Sequence, residues 1–251
     1  MSIESAGDLI GMQRVGRVVA LVLAEMRAAV GIGMTTAELD RVAANALRRE
    51  GARSAPREMY GFPGFACISV NDEIVHGVPG DRRLQAGDVL KIDVTAELDG
   101  FVADAATTVL IGSVPARTRN LQRSASAALA GALDVARTGA RVAAIGRAIE
   151  QQAQRDGFSV IRELCGHGVG RHIHEEPKVV NYDDPSSTEI LTEGLVIAIE
   201  PMLVPTPTRA VQRPDGWTIA TRNGSVAVHE EHTVIVGRGR PFVLTALAVA
   251  S

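Results

Sequence analysis

The segment VLKIDVTAELDGFVADAATTVL, residues 89–110, contains two strand-like runs around a short turn signal. Both runs are rich in apolar and β-branched residues, which favour strands. Asp99-Gly100 between them is the strongest short-range signal for a two-residue hairpin turn. If this turn forms, Leu98 faces Phe101, and the residue numbers of each pair that face each other across the hairpin sum to 199. The segment therefore predicts one long antiparallel hairpin with a fixed register.

The register of this hairpin predicts that two aspartates share one face. Asp93 stands opposite Ala106, and Asp104 is two positions from Ala106, so the carboxylates are diagonal neighbours about 7–8 Å apart at the backbone. Their side chains can converge on metal ions spaced about 3.5–4 Å apart. Taken alone, either aspartate is better explained as a surface residue. In buried, apolar surroundings, however, both need a cation.

Further candidates for such a site lie later in the chain, in apolar or small-residue surroundings. Glu200 lies in GLVIAIEPMLV, and His167 lies in CGHGVG, where small neighbours allow a close approach. In VHEEHTVIV, strand alternation places only one of Glu230 and Glu231 on a given face, and the residues alone leave that choice open. Several carboxylates and one imidazole are typical of a site for a pair of divalent metal ions, which indicates metal-assisted hydrolysis.

Composition excludes several classes of partner. The chain of 251 residues has a net charge of −3 and a pI near 6.1, without a basic cluster, so neither nucleic acid nor an anionic membrane surface is expected. Its two cysteines, Cys67 and Cys165, are far apart, which favours free thiols in a reducing compartment. No signal-peptide pattern is present, and charges interrupt every apolar run before about 18 residues. We predict a cytoplasmic protein.

Apolar periodicity predicts two pairs of helices. The first pair covers about residues 8–29 and 35–51, and its second helix opens with the capping box TTAE at Thr35. The pattern starts over with helices at about 115–138 and 142–156. Strand-like sequence follows each pair, so the chain predicts a helix-helix-sheet unit that occurs twice.

An ungapped alignment supports this internal repeat. LQAGDVLKID (84–93) matches LTEGLVIAIE (191–200), which places Asp93 against Glu200 at an offset of 107. Equivalent strands in the two halves would then each contribute a metal-binding carboxylate. The predicted fold class is α+β, with helices outside a central curved sheet of antiparallel strands. We predict a single catalytic domain over residues 1–251, with repeats at approximately 8–111 and 115–240.

Several motifs together resemble one family, the type I methionine aminopeptidases, which are metal-dependent enzymes of the pita-bread fold. The resemblance extends from about residue 8 to 240. The motifs follow the order and spacing of that family and are CISVNDEIVHGVP (67–79), KIDVT (91–95), GHGVGRHIHEEP (166–177), AIEPM (198–202), DGWT (215–218) and EEHT (230–233).

The resemblance implies a role for each metal-binding candidate. Asp93 would chelate one metal ion, and Asp104 and Glu231 would bridge both. His167 and Glu200 would complete the site of the other ion. Cobalt, manganese, iron and zinc all accept such oxygen and nitrogen donors, so the sequence does not identify the metal.

The implied activity is hydrolysis of the first peptide bond. Glu200 would accept and relay a proton, His174 would hydrogen-bond the scissile carbonyl oxygen, and His76 would contact the scissile nitrogen. A metal would bind the free amine of the substrate, which restricts cleavage to the terminal residue. The expected function is co-translational removal of the initiator methionine before a small second residue.

The resemblance also implies an apolar pocket for the methionine side chain. Ile173 stands where an aromatic residue is usual and Met59 where tyrosine often stands, which indicates a looser pocket. Trp217 is equally explained as a core aromatic residue beside a turn. The residues assigned to the pocket are Met59, Phe62, Cys67, Ile173 and Trp217, with His76 and His174 beside the scissile bond.

Other implications concern partners and further ions. Family members bind a monovalent cation through backbone oxygens near Asn71 and Glu73. The substrates would be the N-termini of peptides and nascent polypeptides, with a transient ribosome contact allowed and a monomer expected. For His172 and His229 we expect structural roles only, and His232 is expected to support Glu231.

Two alternative functions remain on the same fold. An Xaa-Pro aminopeptidase or dipeptidase uses similar ligands but usually carries a separate N-terminal domain, for which this chain has no room. A metal-free binding module would have lost metal ligands, whereas all five are present here. A two-histidine, one-carboxylate oxygenase is disfavoured because four carboxylates exceed what that site uses.

Overall fold

A computed structural model describes residues 1–247 of the chain. The two predicted helix pairs are confirmed, with small differences at their ends. At the predicted capping box, Glu38 N donates to Thr35 Oγ1 at 3.1 Å and Thr35 N donates to Glu38 Oε2 at 2.8 Å. The helices are α1 (Ala6–Ala29), α2 (Thr36–Arg49), α3 (Ala55–Tyr60), α4 (Ala116–Val135) and α5 (Val142–Arg155).

The strands pair with one another in antiparallel fashion, as predicted. They are β1 (Arg53–Ser54), β2 (Cys67–Val70), β3 (Glu73–Val75), β4 (Val89–Leu98), β5 (Phe101–Leu110), β6 (Ser159–Val160), β7 (Cys165–Gly168), β8 (Glu175–Val180), β9 (Val196–Ile199), β10 (Met202–Val204), β11 (Ala210–Gln212), β12 (Ile219–Thr221), β13 (Val228–His229), β14 (His232–Ile235) and β15 (Phe242–Val243). β4 pairs with β1, β2 and β5, and a second sheet has the order β15-β14-β9-β7-β8. Two smaller sheets have the orders β13-β10-β6 and β11-β12-β3.

The β4–β5 hairpin has the predicted register. Leu98 pairs with Phe101, and Asp93 pairs with Ala106. The turn residue Asp99 has a φ of 52°, and the glycine after it has a φ of 80°. Positive φ at both central positions is the geometry of a type I′ turn, whose twist matches that of the flanking strands.

Hydrogen bonds join this hairpin to the second large sheet. Asp104 N donates to Thr233 Oγ1 at 2.9 Å, and Thr233 Oγ1 donates to Asp104 O at 2.8 Å. Glu231 N donates to Ala106 O at 2.9 Å. Thr233 is completely buried, so these bonds lie in the interior. They place the carboxylates of Asp104 and Glu231 beside each other.

Each helix pair covers its own apolar core. Met12 of α1 and Leu39 of α2 pack in one core with Ile92 of the hairpin. α4 and α5 pack over a second core that includes residues of β9 and β14. Since side chains alternate along a strand, Ile92 faces the helices whereas Asp93 faces the opposite side. The division of one domain into two repeats stays a prediction, and its last residues, 248–251, lie outside the described part.

The predicted free thiols are confirmed in the described residues. Cys67 and Cys165 are both free thiols. Within residues 1–247, none of the helices combines the length and hydropathy that a membrane crossing requires.

Candidate metal centre and substrate pocket

The five predicted metal donors surround one cavity of about 780 Å³, a volume that includes its opening to solvent. Three of them come from adjacent strands of the second large sheet: His167 lies on β7, Glu200 follows β9, and Glu231 precedes β14. The β4–β5 hairpin supplies Asp93 and Asp104 from the other side. The structure therefore brings together donors that are separated by up to 138 positions in the sequence.

The two aspartates share one face of the hairpin, as their register predicts. Thr95 is paired with Asp104 and donates a hydrogen bond from Oγ1 to Asp104 Oδ1 at 3.0 Å. Asp93 Oδ1 is buried and accepts no hydrogen bond from residues 1–247. A buried carboxylate oxygen without a donor is a costly arrangement that a cation would relieve.

Three donors meet most closely. One donor atom from each of Asp104, His167 and Glu231 lies within 4.8 Å of the other two. Glu200 extends this group, because its Oε1 lies 3.5 Å from His167 Nε2. All four residues are buried. The set of hard oxygen donors and one imidazole fits divalent metal ions.

The orientation of His167 leaves one ring nitrogen available to a metal. Its Nδ1 lies 2.9 Å from Gly168 O, and since a carbonyl oxygen only accepts, Nδ1 carries the proton. Nε2 is then the unprotonated nitrogen and points toward the carboxylates. Burial lowers the pKa of His167 to about 4, which keeps the ring neutral at physiological pH.

The carboxylates of the cluster resist ionisation without a cation. Burial raises the pKa of Asp104 to about 6. Burial and then the charge of Asp104 raise the pKa values of Asp93, Glu200 and Glu231 well above the ordinary range. Such shifts occur where acids are gathered for a function, and divalent ions would stabilise their ionised forms.

Glu230 and Glu231, which the sequence could not distinguish, point to different places. Glu231 lines the cavity. Glu230 accepts a hydrogen bond from Gln122 Nε2 at 3.0 Å and lines a separate cavity beside α1. A tertiary contact, the hydrogen bond from Glu231 N to β5, places Glu231 on the side of the predicted metal donors.

Both predicted catalytic histidines line the same cavity. His76 follows β3 with a φ of 57°, and burial lowers its pKa to about 4. Burial also lowers the pKa of His174, whose ring centroid lies 4.5 Å from that of His167. Tyr60 Oη lies 3.0 Å from His174 Nδ1, and the two rings are stacked with centroids 5.8 Å apart. The hydroxyl thus fixes the orientation of His174.

Four of the five assigned pocket residues line the cavity. Phe62, Cys67 and Ile173 are buried there, and Trp217 packs edge-on against Phe62 with ring centroids 5.3 Å apart. The contact with Phe62 and the cavity favours the pocket position of Trp217 over a purely structural one.

The assignment of Met59 to the pocket is wrong. Met59 is exposed and lies outside the cavity, and Tyr60 lines it instead. Both residues belong to α3, where successive side chains are about 100° apart, so Tyr60 faces inward together with Pro56 one turn earlier. A helix of six residues with a proline in its first turn is too short for apolar periodicity to reveal.

His229 was expected to be structural, but it lies between two of the predicted metal donors. It is completely buried, and its Nε2 lies 3.7 Å from Glu200 Oε2 and 3.8 Å from Glu231 Oε2. The sequence held one signal for this position: His229 and Glu231 are two residues apart and share a strand face. His232 Nδ1 lies 2.9 Å from Thr245 Oγ1, and its expected support of Glu231 stays a prediction. His172 is exposed.

Comparisons with known proteins agree with this geometry. Residues 11–238 match the model of metallopeptidase family M24. The chain is 39% identical to methionine aminopeptidase 2 of Bacillus subtilis, over 98% of this chain and 100% of that protein. The crystal structure of methionine aminopeptidase from Thermotoga maritima matches with a TM-score of 0.95 at 32% identity, covering 98% of this chain and 100% of that one.

The chain therefore belongs to metallopeptidase family M24. The resemblance to methionine aminopeptidases and the α+β pita-bread fold are confirmed. A prolidase from Pyrococcus furiosus shares the fold, with a TM-score of 0.76 at 21% identity, but this chain covers only 66% of it. This shorter coverage agrees with the expectation that proline-directed relatives carry an additional region.

Proposed function

We propose that this chain is a methionyl aminopeptidase that removes the initiator methionine from proteins and peptides with a small second residue. The observation that carries the proposal is the shared cavity, in which the acidic cluster adjoins a pocket of Phe62, Cys67, Ile173 and Trp217. Relatives named methionine aminopeptidase, at 39% and 36% identity over nearly the whole chain, support the same activity.

We further propose that two divalent metal ions bind at this cluster. Asp93 would hold one, Asp104 and Glu231 would be shared, and His167 with Glu200 would hold the other. When bound, such ions supply an activated water and polarise the scissile carbonyl. The orphaned Asp93 oxygen and the raised pKa values support metal binding. Cobalt, manganese, iron and zinc all suit these donors.

The side chains around the cluster would carry out the proton and hydrogen-bond steps. Glu200 accepts a proton during attack and passes it to the departing amine. His174, held by Tyr60 through Nδ1, donates from Nε2 to the carbonyl oxygen as negative charge develops there. His76 contacts the scissile nitrogen. Both histidines have lowered pKa values and are neutral at physiological pH, as these roles require.

The biological setting proposed for this activity follows from its substrate. A nascent polypeptide presents its first methionine as it leaves the ribosome, so we place the enzyme in the cytoplasm, with transient ribosome contact. A monomer suffices, because one chain provides all the proposed ligands. The cavity opens to solvent and admits an extended N-terminus.

Substrate preference tests the proposed function directly. With metal supplied, the enzyme should cleave Met-Ala-Ser at least about 10-fold more efficiently than Leu-Ala-Ser, because the pocket fits the unbranched thioether better. Ala-Pro peptides should remain uncleaved. The measurement is kcat/KM by release of the terminal amino acid, and a preference for either of the latter substrates would contradict the methionine assignment.

Replacing Tyr60 by phenylalanine should slow the reaction without affecting the fold. Loss of one hydrogen bond to His174 should lower kcat about 3- to 10-fold with little change in KM. Tyr60 is 49% exposed, so the melting temperature should stay the same. Met59→Leu, one position away and outside the cavity, is the matched control and should retain full kcat. A changed KM with normal kcat would instead assign Tyr60 to substrate binding.

A further inference from the structure

Lys91 is an unusual cation for this chain. Only two of the 26 basic residues are lysines, Lys91 and Lys178, and the others are arginines. Lys178 is exposed, whereas Lys91 is only 1% exposed and lies on β4, two positions before Asp93. Lysine is almost never fully buried unless it is paired. The position of Lys91 therefore requires an explanation that the proposed reaction does not supply.

The Lys91 ammonium group binds main-chain oxygens. Nζ donates to Asn71 O at 2.8 Å and to Val89 O at 3.2 Å. No carboxylate in residues 1–247 lies within 4.0 Å of Nζ. Burial lowers the pKa of Lys91 to about 7, and the more distant charges of Glu73 and Asp72 act in the opposite direction.

The oxygens that Lys91 binds belong to a junction of three chain segments. Asn71 has a φ of 58° in the turn between β2 and β3. Its N–H donates to Val89 O at 2.8 Å, and its own carbonyl also accepts from Ala227 N at 3.0 Å. The turn leads through β3 into Val75 and His76, both of which line the cavity. The ammonium group thus lies beneath the segment that carries a proposed active-site histidine.

Main-chain carbonyl oxygens around a compact positive charge form the kind of environment that binds an alkali metal ion. An ammonium group satisfies it because its charge is compact, whereas the planar guanidinium of arginine does not fit the same space. The monovalent cation expected near Asn71 and Glu73 does not fit here, because Lys91 Nζ already lies at hydrogen-bond distance from Asn71 O.

We propose that Lys91 is a covalently attached substitute for a bound monovalent cation, holding the Asn71 turn and placing His76. The chain consequently needs no alkali metal ion for its stability or its activity. This inference concerns a structural cation and stands even if the substrate assignment fails.

The first test uses the unaltered protein. Its melting temperature should be the same, within about 1 °C, in potassium, sodium and tetramethylammonium chloride at equal ionic strength, because tetramethylammonium is too large to enter the junction. A melting temperature that rises with potassium or sodium at millimolar concentration, but not with tetramethylammonium, would overturn the proposal.

The second test exchanges the attached cation for a free one. Lys91→Ala should lower the melting temperature by about 5–10 °C in tetramethylammonium chloride. Potassium or methylammonium should restore at least about 3 °C of this loss, and methylammonium should also restore part of kcat, because His76 follows the junction. Lys91→Arg, which keeps the charge but not the shape, should be destabilised without rescue.

Two variants serve as controls for this exchange. Lys91→Met fills the space with an apolar chain and should show no response to potassium or methylammonium. Lys178→Ala removes the other, exposed lysine and should change the melting temperature by no more than about 1–2 °C. The proposal would be refuted if potassium or methylammonium raised the melting temperatures of Lys91→Met and Lys91→Ala equally. It would also be refuted if neither ion raised that of Lys91→Ala.

Discussion

Asp104→Asn and Glu231→Gln are each expected to lower kcat/KM by at least about 1,000-fold, equivalent to roughly 4 kcal/mol of transition-state stabilisation. Each substitution keeps the size of the side chain and removes a carboxylate proposed to bind both metal ions. Metal content after dialysis, measured by elemental analysis, should fall below the two ions per chain proposed for the unaltered enzyme. Undiminished activity in either variant would refute the shared-ligand role.

Glu230→Gln provides a matched control for this experiment. It removes a buried carboxylate from the neighbouring residue, but one that faces Gln122 instead of the metal donors. Its metal content and kcat/KM should stay within about 3-fold of the unaltered enzyme. The metal-free Asp104→Asn and Glu231→Gln proteins should melt no lower than the metal-free parent, because each relieves repulsion in the cluster. A lower melting temperature would indicate damage to the fold.

Metal binding is expected to stabilise the protein strongly at neutral pH and weakly at acid pH. At metal concentrations about 1,000 times the dissociation constant, the gain is about 4 kcal/mol, or roughly 8–16 °C in melting temperature. Metal ions compete with protons for the carboxylates. Since the pKa of Asp104 is raised to about 6, affinity should fall at least about tenfold for each pH unit below that value.

The sign of this effect is clearest in the difference between metal-loaded and metal-free melting temperatures. In the metal-free protein, the raised pKa of Asp104 makes the folded state less stable as the pH rises from 3.8, the ordinary pKa of an aspartate, toward 6. The lowered pKa values of buried histidines such as His167 have the opposite effect, since stability is lost as pH falls toward 4. Both groups must be deprotonated to bind metal, so the difference between the metal-loaded and metal-free melting temperatures grows with pH. Calorimetry at pH 5 and 7.5 should show this, and equal increments would contradict the proposed ligands.

Local chemistry explains why much of the fold was predictable. Asp99-Gly100 determines the turn, the turn determines the register, and the register places Asp93 and Asp104 on one face. Helix ends followed similarly local signals, such as the hydrogen bonds at Thr35. In each case, the interacting groups are close in sequence, so the local sequence pattern is enough to predict the structure.

The features that were missed depend on contacts between distant residues. Glu231 faces the donors because its N–H bonds to Ala106, which is 125 positions away. Lys91 lies in a run that reads as an ordinary strand, and its partner Asn71 is 20 residues earlier. Tyr60 replaces Met59 at the cavity because successive side chains of the short helix α3 point about 100° apart. Such relations arise only when the chain is folded.

The hydrogen bonds between Asp104 and Thr233 cross from one half of the sequence to the other. A polypeptide nicked in the connection after β5 would leave two acids on one fragment and the histidine with two glutamates on the other. Neither fragment would contain all five proposed metal ligands. Activity in a mixture of the two separately made fragments would therefore require the fragments to reassemble.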